Sequence, residues 1–429
     1  MAIARGAVLK FSLEISNNGS ELTITPHNAQ PLPPIAGNLS LTGLGTLRES
    51  LGKDLDDFKD KVGSALEVSN WQSLSQSLRK LHEKGRALAF QLFGLELRKI
   101  TELLRQHCPH RVTDPAQLAS PDFFGWSETD ALPRVEVNAL LENFIPMEFL
   151  PLFNMTEPEE VKNLSDLYKV ASSFLGFSVV VKRADTRLGA AKLQNLMLEN
   201  VPKLPIKFFR YDGLAGVREE MEFFQHWEEH IDLEGPWPDV HHPAQEFEKL
   251  FADHIWHFRR RFDGNDRESA DQIHHFSCHC DTKSDDSANY HVELGHDPQT
   301  RRKVTIGKLN ARFGELAAGG DRCPDSPPPF VFFNACGSSK IKPGEMASFP
   351  RLFFTIGSRG FIGTETRIPD QVAAEFSKYF YTKLLSGYPL GDAVQAAKRM
   401  LLTRYNNPLG VLYTVYADPD LVVSQPVLR

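Results

Sequence analysis

The period of apolar and polar positions changes several times along the chain, and each change marks an element. Leu9, Phe11, Leu13 and Ile15 alternate with Lys10, Ser12 and Glu14; Asn17, Asn18 and Gly19 interrupt, and Leu22 and Ile24 resume the alternation. Period two on both sides of such a turn predicts a β-hairpin. A proline-rich connector from Pro31 to Gly37 follows, so the hairpin stands either as a small N-terminal element or as an addition to another sheet. From Trp71 the spacing becomes helical through Leu74, Leu78, Leu81, Leu88 and Leu92, and a second helix runs through Leu97, Ile100 and Leu104. Phe177 to Val181 and Ile206 to Phe209 read as buried strands, and Leu214, Val217, Met221 and Phe224 form a helix face. Strands alternating with helices imply an α/β fold with a mainly parallel sheet covered on both sides.

Two further runs carry chemistry. Phe330 to Phe333 is apolar without alternation, as a central strand covered on both faces requires. It stops at Asn334-Ala335-Cys336-Gly337-Ser338-Ser339, which delivers one thiol to the carboxyl end of the strand, where open α/β sheets place their ligands. A thiol of ordinary pKa is mostly protonated at neutral pH, so a nucleophilic cysteine needs an imidazole beside it. Gln272 to Cys280 is a second strand-like run, and its His279 lies 57 residues before Cys336. The caspase signature has a histidine about 50 residues ahead of its cysteine. His274 and His275 are alternative bases. Period two puts Cys278 and Cys280 on one strand face and His279 on the other, so the two cysteines also admit a zinc reading with His291, His296 or Cys323. The second cysteine pair that structural zinc sites use is missing, so the expectation is no metal and no cofactor.

These runs resemble the CHAT domain, a caspase-like branch of cysteine peptidases that also resembles separase. Cys278-His279-Cys280 is similar to the family's Cys-His-Gly triplet, and Asn334-Ala335-Cys336 to its Asn-Ala-Cys triplet. Phe354 to Asp370, ending in Ile368-Pro369-Asp370, looks like the family's strand, glycine-rich turn, strand and Pro-Asp helix start; Ser386 to Leu390 and Tyr416 to Asp420 extend the likeness. The resemblance implies a caspase-like sheet, with a degenerate N-terminal half over 66–240 and a catalytic half over 241–429, after an N-terminal hairpin element and linker over 1–65. The boundary between halves is expected within Asp232 to His242. It implies a Cys336 and His279 dyad, with the backbone N–H groups of Cys280 and Cys336 as oxyanion donors. Cysteine at 280, where the family has glycine, narrows the groove in this reading. Asn334, Thr364, Glu365 and Arg367 are the expected substrate-binding residues, and an amide rather than a carboxylate at 334 implies a neutral or apolar preference.

Composition narrows the classes. A chain of 429 residues holds two packed units, with 41% hydrophobic and 24% charged residues. A net charge of −7 argues against a nucleic-acid partner. Five cysteines, an odd number at irregular spacing, make no disulfide framework and suit a reducing cytoplasm. Neither an export signal nor a run of about 18 apolar residues is present, so no membrane partner is expected. The resulting expectation is a cytoplasmic cysteine endopeptidase acting on a specific protein. The resemblance implies a bacterial defence or cell-death effector, with a gasdermin-like pore former as substrate and an upstream sensor or activator. Its rivals are a catalytically silent CHAT scaffold that binds proteins and, further off, a zinc-binding module.

Overall fold

The computed structural model describes residues 7–107, 133–185, 197–199, 203–239, 244–257, 259–261, 268–282, 286–295, 301–320, 328–335 and 348–424. The chain divides into two compact units. One comprises Met1–Gly189, Pro389–Thr414 and Asp418–Asp420; the other comprises Ala190–Tyr388, Val415–Ala417 and Leu421–Arg429.

In the first unit, β1 (Ala7–Ser16) and β2 (Gly19–Pro26) form the antiparallel hairpin, in register from Leu9↔Pro26 to Ser16↔Gly19. β3 (Ile35–Gly37) pairs with β2, and the free side of β1 pairs in parallel with β4 (Arg134–Ala139), which pairs with β5 (Val180–Asp185). The hairpin thus extends another sheet, one of the two placements its sequence allows. Three helices come between: α1 (Leu41–Val62), α2 (Trp71–Phe93) and α3 (Leu97–His107). The hydroxyl of Ser40 accepts from Gly43 N at 3.1 Å, and Asn70 Oδ1 accepts from Ser73 N at 3.0 Å, which satisfies first-turn donors of α1 and α2. After α4 (Leu164–Ala171), the run read as a strand from Phe177 starts later: Leu175–Ser178 is a helical turn, α5, closed by Val179 N donating to Leu175 O at 3.0 Å. Arg134, 1% exposed, reaches Asp420 at 2.7 Å and Asp392 at 3.4 Å, a charge group buried within this unit.

In the second unit β6 (Met197–Leu198) comes first and pairs with β17 (Val422–Val423), while β9 (Arg259–Arg261) pairs with β10 (Glu268–Ala270). The main sheet runs in parallel through β8 (Ile231–Trp237), β7 (Leu204–Arg210), β11 (Ile273–Asp281), β14 (Phe330–Ala335) and β15 (Gly360–Thr364). β16 (Tyr413–Ala417) neighbours β15, and β12 (His291–Leu294) with β13 (Arg302–Thr305) continues antiparallel from the far end of β11. The segment around Asp232 is therefore a sheet strand.

Register explains why the central strands do not alternate. Phe208, His275 and Phe332 stand in one cross-strand row and Phe209, Phe276 and Phe333 in the next, on the opposite face. The first row meets Phe224 of α6 (Ala215–His226) and Phe380 of α10 (Asp370–Leu385). The second meets Phe251 of α7 (Ala244–Trp256) and Phe353 of α9 (Phe349–Thr355). All six residues of β14 are buried. Burying each phenylalanine stabilises by roughly 1.5–3 kcal/mol, so both faces of this strand carry weight. α8 (Ile306–Gly319), unread in the sequence, packs Phe313 on Trp256 of α7 at 5.6 Å. α11 (Leu390–Tyr405) belongs to the first unit. Among the described residues, no helix is long and apolar enough to cross a membrane.

Candidate active site

The carboxyl ends of β11, β14 and β15 lie beside the amino-terminal ends of α6 and α10, and a small cleft opens between them. Ser277, Cys278, His279, Asn334, Ala335 and Thr364 line it from the sheet. Leu214, Gly216 and Val217 line it from the α6 side, and Ile368, Asp370 and Ala373 from the α10 side. The approach of α6 to α10 requires a glycine, since a Cβ on Gly216 would stand 2.5 Å from Asp370 O. Cys278 pairs with Ala335, the last residue of β14, so His279 is the first residue of β11 beyond that pairing.

His279 is half-buried at the end of β11, its backbone opposite Glu293 of β12. The ring of Tyr211 packs against the imidazole with centroids 5.2 Å apart, and Tyr211 N donates to Ser277 O at 2.9 Å. Burial lowers the pKa of His279 below its ordinary value, and the charge of Asp370 opposes that shift in part. The imidazole is therefore mostly neutral at neutral pH, the form that accepts a proton.

The other expected site residues separate into two sets. Asn334 and Thr364 line the cleft with His279; Thr364 Oγ1 donates to Ala335 O at 2.9 Å and ties the ends of β14 and β15 together. Glu365 is buried just beyond β15 and Arg367 is exposed; neither is among the described lining residues. Cys280 sits within β11 opposite Val292, 5% exposed and likewise off the lining. Cys336 lies outside the described residues, as do His296 and Cys323 of the zinc reading. Among the described residues, no group of three or more His, Cys, Asp or Glu is placed to hold a metal ion.

Two residues that act on His279, Tyr211 through ring packing and Asp370 through its charge, escaped the sequence reading. Tyr211 follows β7 and carries no motif. Asp370 was legible only as a helix start; among the described lining residues it is the one carboxylate.

Residues 234–411 match the family model described as the CHAT domain. Over these residues, about two fifths of its length, the chain resembles a CHAT domain. That is the family to which the triplets around His279 and Cys336 point, and the parallel sheet flanked by helices on both faces is the architecture it implies. No curated protein matches the sequence. Among solved structures, two of the Saccharomyces cerevisiae separase–securin complex are similar, with TM-scores of 0.45 and 0.42 and identities of 12% and 11%. Each match covers 97% of this chain and 30% of that chain, so this chain spans under a third of the length of those relatives. The complex of Porphyromonas gingivalis RgpB pro- and mature domains is similar at a TM-score of 0.40 and 10% identity, covering 88% of this chain and 78% of that one.

Proposed function

We propose that this chain is a cysteine endopeptidase with Cys336 as nucleophile and His279 as general base. The observation that supports this is the parallel pairing of Cys278 with Ala335 at the mouth of a cleft. His279 and Cys336 each follow that pair by one residue. In the reaction, His279 takes the thiol proton and the thiolate attacks the peptide carbonyl carbon. The C–N bond breaks as His279 returns the proton to the leaving amine, giving a thioester. Water then adds, with His279 again accepting a proton, and releases the carboxylate and the free thiol. The N–H groups of Cys280 and Cys336 stabilise the oxyanion in this scheme. Asn334 and Thr364 form the substrate wall, and Glu365 and Arg367 lie at its margin. In this reading residues 241–429 supply the nucleophile and base, β7, β8 and α6 from the 66–240 half complete the sheet and cleft, and 1–65 is the N-terminal element.

A cytoplasmic setting suits a chain that needs its thiol reduced. On this reading the substrate is a specific protein, with a gasdermin-like pore former in bacterial defence as the candidate and a sensor or activator upstream. Cysteine at 280 is the feature that favours a silent, protein-binding scaffold; its burial off the cleft lining leaves the groove open and weighs for the enzyme. An activity probe with a thiol-reactive acyloxymethyl ketone tests the choice. Wild type labels at Cys336, Cys336→Ala loses the label, and His279→Ala slows labelling by about 10²-fold or more. Labelling that is indifferent to His279 sinks the dyad.

A further inference from the structure

Asn334 forms part of the cleft wall, yet its carboxamide is held from the side away from substrate. Nδ2 donates to Glu220 Oε1 at 2.7 Å and to Ala373 O at 3.1 Å, which commits both amide hydrogens. Glu220, on α6, is 1% exposed and is not among the described lining residues. Among the described residues its Oε2 has no hydrogen-bond partner, and His275 Nε2 stands 3.4 Å from Oε1. His275 is fully buried, with Nδ1 3.0 Å from the Tyr381 hydroxyl; burial, with the charge of Glu220, holds that phenol well above its ordinary pKa, so it stays protonated. Around these groups stand the rings of Phe208, Phe224 and Phe332. A buried carboxylate with one oxygen unsatisfied is costly in such surroundings, where an aliphatic side chain would pack without penalty. What the carboxylate does that a hydrocarbon cannot is dictate which end of the Asn334 amide faces inward.

Building on the peptidase reading, we propose that Glu220 is a positioning residue for substrate selection. It turns the N–H groups of Asn334 away from the cleft, so the wall gives no donor to an acidic side chain beside the scissile bond. Asp370, the carboxylate on the opposite wall, repels the same side chains.

The test uses full-length protein and acyloxymethyl ketone probes carrying leucine, arginine or aspartate next to the reactive carbonyl, with labelling at Cys336 as readout. Wild type labels slowest with the aspartate probe, by about tenfold or more. Glu220→Gln keeps shape but lets the amide turn over, so the aspartate handicap shrinks several-fold while the leucine rate stays within about twofold. A purely structural Glu220 would shift all three rates alike, which overturns the proposal. Asn334→Asp sets two carboxylates against each other and slows every probe by about tenfold or more. Adding Glu220→Gln restores a donor and acceptor with roles exchanged, recovers much of the rate and turns preference toward arginine. Recovery is incomplete because Ala373 O still lacks its donor. Equal rates with and without the second change overturn the proposal while leaving the peptidase intact. A wild type that no probe labels overturns both.

Discussion

At the scale of single residues, the proposed chemistry turns on how a half-buried imidazole is held neutral. Burial is the larger influence on His279 and lowers its pKa from 6.5; Asp370 is the strongest of the charges that oppose it, with Glu293 acting in the same sense and Arg301 and Arg367 against. A base must be deprotonated to work, so the acid limb of the pH profile for Cys336 labelling is expected below the ordinary histidine range. Replacing Asp370 with Asn removes the main opposing charge, and the limb moves further toward acid. A limb that moves toward neutral pH would show that Asp370 does not act on His279 as a charge. The same shift bears on stability. A histidine whose folded pKa is depressed favours the folded state while both states are neutral, above pH 6.5, and that contribution is lost as pH falls through the folded value. His279→Gln, which cannot be protonated, is expected to flatten this part of the pH-dependence of the unfolding midpoint.

Secondary-structure elements show which parts of the fold can be read from the chain and which cannot. β14 was legible because a strand buried on both faces reads as a continuous apolar run, as Phe330 to Phe333 does; β7 and β11 were legible from Phe208-Phe209 and Ile273 with Phe276, although the buried Lys207, His274 and His275 interrupt them. α8 was not, although Ile306, Leu309, Phe313 and Leu316 recur at helical spacing and are buried. Gly307, Gly314 and Gly319 within the same stretch look like turn signals until Thr305 is seen capping the helix through Lys308 N. α1 was missed for a related reason: its buried stripe through Leu44, Leu51, Leu55 and Phe58 is diluted by charged residues between. The site divides the same way. His279 and Asn334 could be found because each ends a recognisable strand, whereas Glu220, Tyr211 and Asp370 reach the cleft region from separate elements, a proximity that only the fold creates. The α6–α10 contact offers a direct test of that dependence. Gly216→Ala raises helix propensity by up to about 1 kcal/mol. Its new Cβ would stand 2.5 Å from Asp370 O and 3.1 Å from Ala374 Cβ, and backbone cannot yield as a side-chain tip does. Overpacking is expected to win, with a net destabilisation of roughly 1–3 kcal/mol in denaturant unfolding. Cys336 labelling should fall with it, because the strained contact borders the cleft; an unchanged or raised midpoint would mean the two helices are free to part.

For the molecule as a whole, the decisive fact is that neither unit is one continuous stretch. The chain makes most of the first unit, runs through 190–388 in the second, and returns with α11 and Asp418–Asp420 to the first. The family match at 234–411 cuts across both units. A fragment spanning 241–429 keeps His279 and Cys336 but loses β7, β8 and α6. The edge of β11 from Ile273 to Ser277, paired in the whole chain with Ile206 to Arg210, would be left open, and His275 would lose the rings of Phe208 and Phe224. An unpaired strand edge of that length is a template for aggregation. The fragment would also carry Asp392 and Asp420 without Arg134, and Arg399 without Phe177 O, to which its guanidinium donates at 3.0 and 3.1 Å. Stranding one side of a buried ion pair costs about 3–5 kcal/mol, a large part of what holds a domain of this size. The fragment is therefore expected to be insoluble or to unfold without a cooperative transition, while the whole chain melts cooperatively and labels at Cys336. Cooperative melting of 241–429 with full labelling would show instead that β7 and α6 are dispensable to the cleft, and with them the positioning of Asn334 by Glu220.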